Sequence, residues 1–368
     1  MRVLILAAYY CPDIGGYPKN VHELAKRLVE TGHEVTVATC SHGGPIKDGV
    51  EIVRLPSWIT LRGEYPIPKP SKALSGLWKA RYDVVITQTR FFLTSLWGAV
   101  YAKCNHVPLI HVERGSDHCV VSNPVVRALA RMYDHTAGHW IVSQAQHNIG
   151  VSRMACSFVE HIGGRDPEVV HNGISTSRLR VTRDDDICFV GRLVYGKGVQ
   201  DLISAFEQCC ASKAANTANI RLVIVGDGNY RRCLESQAKA SPYSDRIVFM
   251  GQLSNQDALK VMARCRIFVN PSYTEGLPTA VLEAASLGKA VVAADVGGTG
   301  EIITPGISGW LYPPHDVKQL TATLLRLLRH PGTAREYGEV AQEAVHKSFS
   351  WKKIAARYNE IINIISPV

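Results

Sequence analysis

The chain has 368 residues, 46% of them hydrophobic, which is enough for about two domains with separate cores. Lys and Arg outnumber Asp and Glu by 41 to 32, but the excess is spread: residues 1–176 carry 18 basic against 14 acidic side chains. That balance admits anionic partners, yet it lacks the dense basic stripe of a nucleic-acid binder, so no nucleic-acid partner is expected.

The opening MRVLILAAYY has an apolar core without a small-residue cleavage site and runs straight into a glycine loop. It reads as a first strand rather than a signal peptide. Val3–Ala8 is continuously apolar, as a parallel strand buried on both faces must be. The loop YYCPDIGGYPKN follows, then an amphipathic helix over Val21–Thr31 and a strand over Glu34–Ala38. This is a βαβ unit, and Gly15-Gly16 lets backbone approach a ligand closely. Gly49–Leu55 is expected to be a strand. Beyond it, Trp58, Leu61, Tyr65, Leu74, Leu77 and Trp78 alternate with Arg54, Arg62, Lys69, Lys72, Lys79 and Arg81, opposed only by Glu64. Such a mixture suits either an interfacial membrane surface or a helix whose aromatics are core. Strands are expected at Tyr82–Thr87, Pro108–Val112 and Trp140–Val142, and a helix at Ser122–Thr136, with Ser143 as cap of the turn that leads to Gly150. The apolar run Phe91–Ala102 is too short to span a bilayer and is interrupted by Thr94, Ser95 and Gly98. A cytoplasmic protein is expected, soluble or peripheral on the cytoplasmic face of a membrane. The ten cysteines include no CxxC pair and no disulfide framework, which argues against a zinc site and suits free thiols in a reducing cytosol.

EVVHNGIS at Glu168–Ser175 ends the first domain, and the unpatterned polar stretch 176–186 reads as a linker. The alternation then restarts. Ile187–Val190 is a strand, followed by GRLVYGKG (Gly191–Gly198) and a helix from Val199. Arg192 offers a planar fork to phosphate oxygens and Lys197 a mobile point charge. Strands follow at RLVIVGDG, with Gly226 in its turn, and at IVFMGQL, with Gly251 and Leu253 in its turn. Ile267–Val269 is a strand, and Thr279–Leu287 is a helix with Pro278 in its first turn. Between them lies a loop with Gly276. A strand, a tight loop and a helix N-terminus aim backbone N–H groups and a positive dipole end at one point, which is an anion site. Glu275 and Glu283 frame it. Carboxylates beside a phosphate must face something else, and sugar hydroxyls are natural donors to them. Further elements are expected at Ala290–Ala294, Gly309–Leu311, Val317–Leu328 and from Ser350 to about Ile365.

The spacing of Glu275 and Glu283 in EGLPTAVLE resembles the Glu-x7-Glu signature of retaining nucleotide-sugar glycosyltransferases of family 4. GRLVYGKG is similar to the basic glycine loop of the same family, and EVVHNGIS to the strand before its linker. The resemblance implies an α/β protein of GT-B fold, two facing Rossmann-like domains: 1–175 for the acceptor and 176–348 for the donor, with 349–368 a helix crossing back to the first. It implies that Arg192 and Lys197 hold the donor diphosphate together with the amides of Leu277 and Thr279. Glu275 would bind the donor sugar, Glu283 the ribose, and Gly15, Gly16 and Gly276 would approach the donor. Gly251 and Leu253 would line the nucleobase through backbone contacts, and Gly226 would also bind the donor. The family commonly has His-Gly at the end of one first-domain strand. Here the run is His111-Val112-Glu113-Arg114-Gly115, so either His111 or Arg114 fills that role, and Gly300 stands where the family has proline in Gly-Gly-x-Pro-Glu.

The expected activity is a hexosyl transfer, retaining and without metal or cofactor, from a UDP- or GDP-sugar to a hydroxyl of a glycan, lipid-linked or small-molecule acceptor. A front-face reaction, with the leaving phosphate taking the acceptor proton, fits the family. A GT-B epimerase acting on the nucleotide sugar and a non-catalytic sugar-nucleotide binder remain open. A dinucleotide oxidoreductase is disfavoured, because no G-x-G-x-x-G follows the first strand.

Overall fold

The computed structural model describes residues 1–44, 46–60, 65–119, 124–175, 186–212 and 219–366. The chain divides into two compact units, Met1–Gly173 with Trp351–Val368, and Ile174–Ser350. The polar stretch read as a linker lies almost wholly outside the described residues, as do Leu61, Arg62, Glu64 and Ser122.

The first unit runs β1 (Arg2–Ala7), α1 (Gly16–Glu30), β2 (Glu34–Thr39), β3 (Glu51–Arg54), β4 (Ser57–Thr60), β5 (Tyr65–Pro68), α2 (Lys72–Lys79), β6 (Val84–Gln88), α3 (Leu93–Asn105), β7 (Leu109–Glu113), α4 (Pro124–Tyr133), a π-turn (Asp134–Gly138), α5 (His139–Gln144), β8 (His147–Gly150), α6 (Arg153–His161) and β9 (Glu168–Val169). Seven strands form one parallel sheet in the order β3-β2-β1-β6-β7-β8-β9, and β4 and β5 form a separate antiparallel pair. Val3 to Ala7 are fully buried, which is why that run carries no polar alternation.

The second unit runs β10 (Ile187–Val190), α7 (Val199–Ala211), β11 (Leu222–Val225), α8 (Arg231–Ala240), β12 (Ile247–Gly251), α9 (Asn255–Arg264), β13 (Ile267–Asn270), α10 (Thr279–Ser286), β14 (Ala290–Ala294), α11 (Thr299–Ile302), β15 (Trp310–Tyr312), α12 (Val317–Arg329) and α13 (Pro331–Ser348). Its six strands are parallel in the order β12-β11-β10-β13-β14-β15. Val199, Leu202, Ile203 and Phe206 face the core of this unit from α7 at helical spacing. The last helix, α14 (Trp351–Ile365), belongs to the first unit. Trp351 covers Gly173 so closely that a Cβ there would lie 2.3 Å from the indole. Arg357 grips Glu168 at 2.5 and 2.8 Å, and Asn359 meets His33 at 2.7 Å.

Two expectations differ from the structure, and one helix was not expected. Trp140–Val142 is helical, part of α5, and the strand expected there is β8. A three-residue apolar run does not distinguish the two periods. Ser143 is no cap: its hydroxyl donates back to the Trp140 carbonyl, and Ser152 caps α6 by accepting from the Ala155 amide. Helix α13 has no counterpart in the apolar pattern. Its buried face is mostly small, with Ala334, Gly338 and Ala341, and a Cβ at Gly338 would lie 2.2 Å from the Gly288 carbonyl oxygen. Close backbone approach seats it along this stripe, and Tyr337 and Val345 are buried beside it.

The Trp-rich basic segment has one tryptophan exposed and one partly packed. Leu77 is buried and Trp78 packs edge-on against Trp97 and Tyr101, so α2 contributes to the core. Trp58 is exposed on β4 with the Lys69 ammonium over its ring. Among the described residues no helix is long and apolar enough to cross a membrane.

Candidate active site

Each sheet reverses its strand order once beside its own first strand, between β1 and β6 and between β10 and β13. Crevices at the carboxyl ends of strands at such a switch are where open parallel sheets bind ligands. In the second unit the loops there are Gly191–Gly198 after β10 and 271–278 after β13, so the two motif stretches are neighbours because the sheet order makes them so.

Their apposition is tight. Gly198 has φ +65, and a Cβ on it would lie 1.9 Å from the Pro271 carbonyl oxygen. The Tyr273 amide donates to the Gly196 carbonyl at 2.8 Å, and the Tyr273 phenol meets Asp201 at 3.0 Å and the Gln200 amide at 2.6 Å. Burial and then the neighbouring Asp201 push the Tyr273 phenol upward, so it stays protonated as a donor. Tyr273 was not singled out from the sequence. Its place inside the EGLP-containing loop was the only available signal.

Across this seam Lys197 Nζ reaches Glu275 Oε1 at 2.5 Å, with the side chains 24% and 11% exposed. The same oxygen accepts from the Ser272 hydroxyl at 2.7 Å and the Asn270 amide at 3.4 Å. Charge-assisted bonds of this kind are each worth about 1.5–3 kcal/mol in part-buried settings. The carboxylate is therefore held in one orientation before any ligand arrives. Arg192 is exposed in the same loop and makes no side-chain hydrogen bond or ion pair to any described residue. Glu283 is buried on α10, where the Asn255 amide donates to it at 3.2 Å. Gly276 accepts from the Gly298 amide at 2.7 Å, Leu277 is buried and Thr279 opens α10.

Gly226 is another close-approach position. Gly226 has φ +135 and would press a Cβ to 1.9 Å from the Gly191 carbonyl oxygen, while its amide donates to Gly251 at 2.8 Å. Gly251 has φ +68, and Leu253 is half-buried beyond it. Gly226, Gly251 and the Gly191–Gly198 loop thus form one backbone-lined edge across β10, β11 and β12.

In the first unit Gly15 is the exposed residue before α1, and Gly16 is already the first residue of that helix. His111 has no exposed surface. Nδ1 lies 3.0 Å from the Thr87 hydroxyl and Nε2 3.5 Å from Glu113 Oε2. It is an inward-facing strand residue with a polar neighbour at each ring nitrogen. Arg114 is half-buried, donating to Gln88 at 2.8 Å and Asn172 at 2.6 Å, with Tyr17 under its guanidinium. Burial lowers its pKa below the ordinary value.

The group that organises this region was passed over in the sequence. Arg90, two residues after the end of β6, is 4% exposed, pairs with Glu113 at 3.1 Å and forks onto Asp134 at 2.8 and 3.1 Å. Glu113 also accepts from the amides of Arg114 at 2.9 Å and Gly115 at 2.7 Å. Burial alone would raise its carboxyl, but Arg90, His111 and the Gly115 amide pull it down to about 2. A charged strand end thus fixes the loop that carries Arg114.

Comparison with known proteins places both units in one group. Residues 174–344 match the family described as glycosyl transferases group 1, and residues 14–178 match glycosyltransferase family 4. An uncharacterized glycosyltransferase of Methanocaldococcus jannaschii is 26% identical, with 98% of each chain covered. A glycogen synthase of Mycobacterium tuberculosis is 26% identical over 96% of this chain and 92% of its own. Among solved structures, Anabaena HepE in complex with UDP and glucose superposes with a TM-score of 0.80 at 19% identity, over 99% of this chain and all of the other. The chain belongs to the family 4 glycosyltransferases and has the GT-B fold.

Proposed function

We propose that the protein transfers a hexosyl group, with retention of anomeric configuration and without a metal ion, from a nucleoside diphosphate sugar to a hydroxyl acceptor on a glycan, a lipid-linked sugar or a small molecule. The observation that carries this reading is the joined pair Lys197–Glu275 at the switch point of the second sheet, next to the N-terminus of α10. A cation and an anion fixed side by side suit a substrate that is itself divided into an anionic diphosphate and a hydroxyl-rich sugar. Arg192 is the exposed partner, with its fork available for phosphate oxygens. Lys197 has three donors, of which one meets Glu275, so it can bridge diphosphate and carboxylate together. Glu275 accepts donor-sugar hydroxyls, and Glu283 the ribose hydroxyls. The amides at Leu277 and Thr279 and the dipole of α10 add positive potential as charge grows on the leaving oxygen. The acceptor proton passes to that leaving phosphate in a front-face reaction. The glycosyltransferase relatives and the UDP-bound structural neighbour support a nucleotide-sugar donor. A cytoplasmic site of action agrees with the thiol-rich composition.

The test is incubation with a panel of UDP- and GDP-sugars, following nucleoside diphosphate release with and without hydroxyl acceptors. Acceptor-dependent release supports the proposal. Conversion of the bound sugar without acceptor and without diphosphate release points to an epimerase, and binding with neither conversion nor release to a non-catalytic protein. Arg192→Ala, Lys197→Ala and Glu275→Ala should each abolish transfer and leave folding intact. Rates like the wild type in all three would remove the mechanism.

A further inference from the structure

Three histidines converge in the first unit. His118 lies in the loop after β7, His135 in the π-turn, and His161 is the last residue of α6. One ring nitrogen of each lies within 4.8 Å of the other two. We propose that His118, His135 and His161 form a binding site for a divalent transition-metal ion of the zinc class.

The donor set selects the class of ion. Three imidazoles and no carboxylate in the first shell suit zinc, cobalt, nickel or copper, and do not suit magnesium or calcium, which take oxygen ligands. A tetrahedral ion with metal–nitrogen bonds near 2.0–2.1 Å needs its ligand nitrogens about 3.3 Å apart. His135 and His161 are exposed, so their rings can close that gap by side-chain rotation. His118 is the fixed member, seated edge-on against Phe158 at a centroid distance of 5.2 Å.

The support behind the ligands matches what metal sites require. His118 Nδ1 lies 2.7 Å from Asp134 Oδ2. An ionised carboxylate only accepts, so Nδ1 carries the proton and Nε2 keeps the open lone pair. This is the carboxylate–histidine pairing that orients metal-binding imidazoles and raises their basicity. Asp134 is fully buried and held from behind by the Arg90 fork. The π-turn puts Asp134 and His135 in one widened turn, so the supporting acid and a ligand are presented together. An ion here would tie the loop carrying His118 to the α4–α5 junction and to the end of α6. That same loop begins with Arg114. None of Arg192, Lys197 or Glu275 takes part, so the site's failure and that of the transfer reaction are separable.

The experiment titrates tag-free, metal-stripped protein with Zn2+ against a chromogenic chelator, and separately with Co2+ followed by its visible absorption. One tight site per chain is expected, with intense tetrahedral d–d bands and no thiolate charge-transfer band. His135→Ala and His161→Ala each weaken Zn2+ binding by at least about tenfold, and the double variant removes it. Zn2+ raises the melting temperature of the wild type and leaves that of the double variant unchanged. Equal Zn2+ affinity in wild type and double variant overturns the site. So does a wild-type Co2+ spectrum that is octahedral or thiolate-rich, a result that needs no variant to fold.

Discussion

Gly198→Ala tests whether the two motif loops of the second unit behave as one body. Gly198 sits at φ +65, where an Ala costs about 1–2 kcal/mol of backbone strain. Its Cβ would lie 1.9 Å from the Pro271 carbonyl oxygen and 2.8 Å from the carbonyl carbon. Reaching even 3.0 Å from that oxygen requires the backbones to part by 1.1 Å, the difference of the two distances. Overpacking of this kind costs about 1–3 kcal/mol, so the combined loss is about 2–5 kcal/mol. Pro271 immediately precedes Ser272, which braces Glu275, so the shift passes to the Lys197–Glu275 pair. A displacement of about 1 Å at a reacting centre lowers rates by about 100-fold. The control is two residues away: a Cβ at Gly196 meets nothing within 4 Å, so Gly196→Ala should stay within about 0.5 kcal/mol of wild type. Urea unfolding and nucleoside diphosphate release, measured on both variants, decide the matter. If Gly198→Ala matches Gly196→Ala in midpoint and in rate, the loops are not held by this contact and the reasoning is wrong.

The Lys197–Glu275 pair should behave as a unit in a double-mutant cycle. Lys197→Ala and Glu275→Gln each lower release by about 100-fold or more, and the double variant falls little further; fully additive losses would mean that the two side chains act separately. In the first unit, Glu113 gives stability an acid limit. Its carboxyl ordinarily titrates at 4.5 and is held at about 2 in the fold, so its contribution is complete above 4.5 and disappears as pH falls towards 2. The difference of 2.5 corresponds to about 3 kcal/mol. Melting temperatures from pH 6 to pH 3 should fall more steeply for wild type than for Glu113→Gln, and parallel curves would show that Glu113 is not the group responsible.

Much of the architecture could be read from residue order alone. Fully buried parallel strands leave continuous apolar runs, such as Val3–Ala7 and Ala290–Ala294, and glycine-bearing loops punctuate them. Arg192, Lys197, Glu275 and Glu283 stand in local strings, and local strings survive in one dimension. What only the fold decided is what lies opposite what. His111 looked like a strand-end ligand, yet Thr87 and Glu113 enclose it. Arg90 carries no motif in the sequence, yet it holds two buried carboxylates together. Helix α13 hid because Ala334, Gly338 and Ala341, more than half of its buried face, mark it only weakly as apolar. The histidines at 118, 135 and 161 follow no spacing rule, since they come from a loop, a π-turn and a helix end. Sequence determines pattern along each element through periodicity and backbone preference. Partners across elements are set by strand order and side-chain packing, and those exist only once the chain has closed on itself.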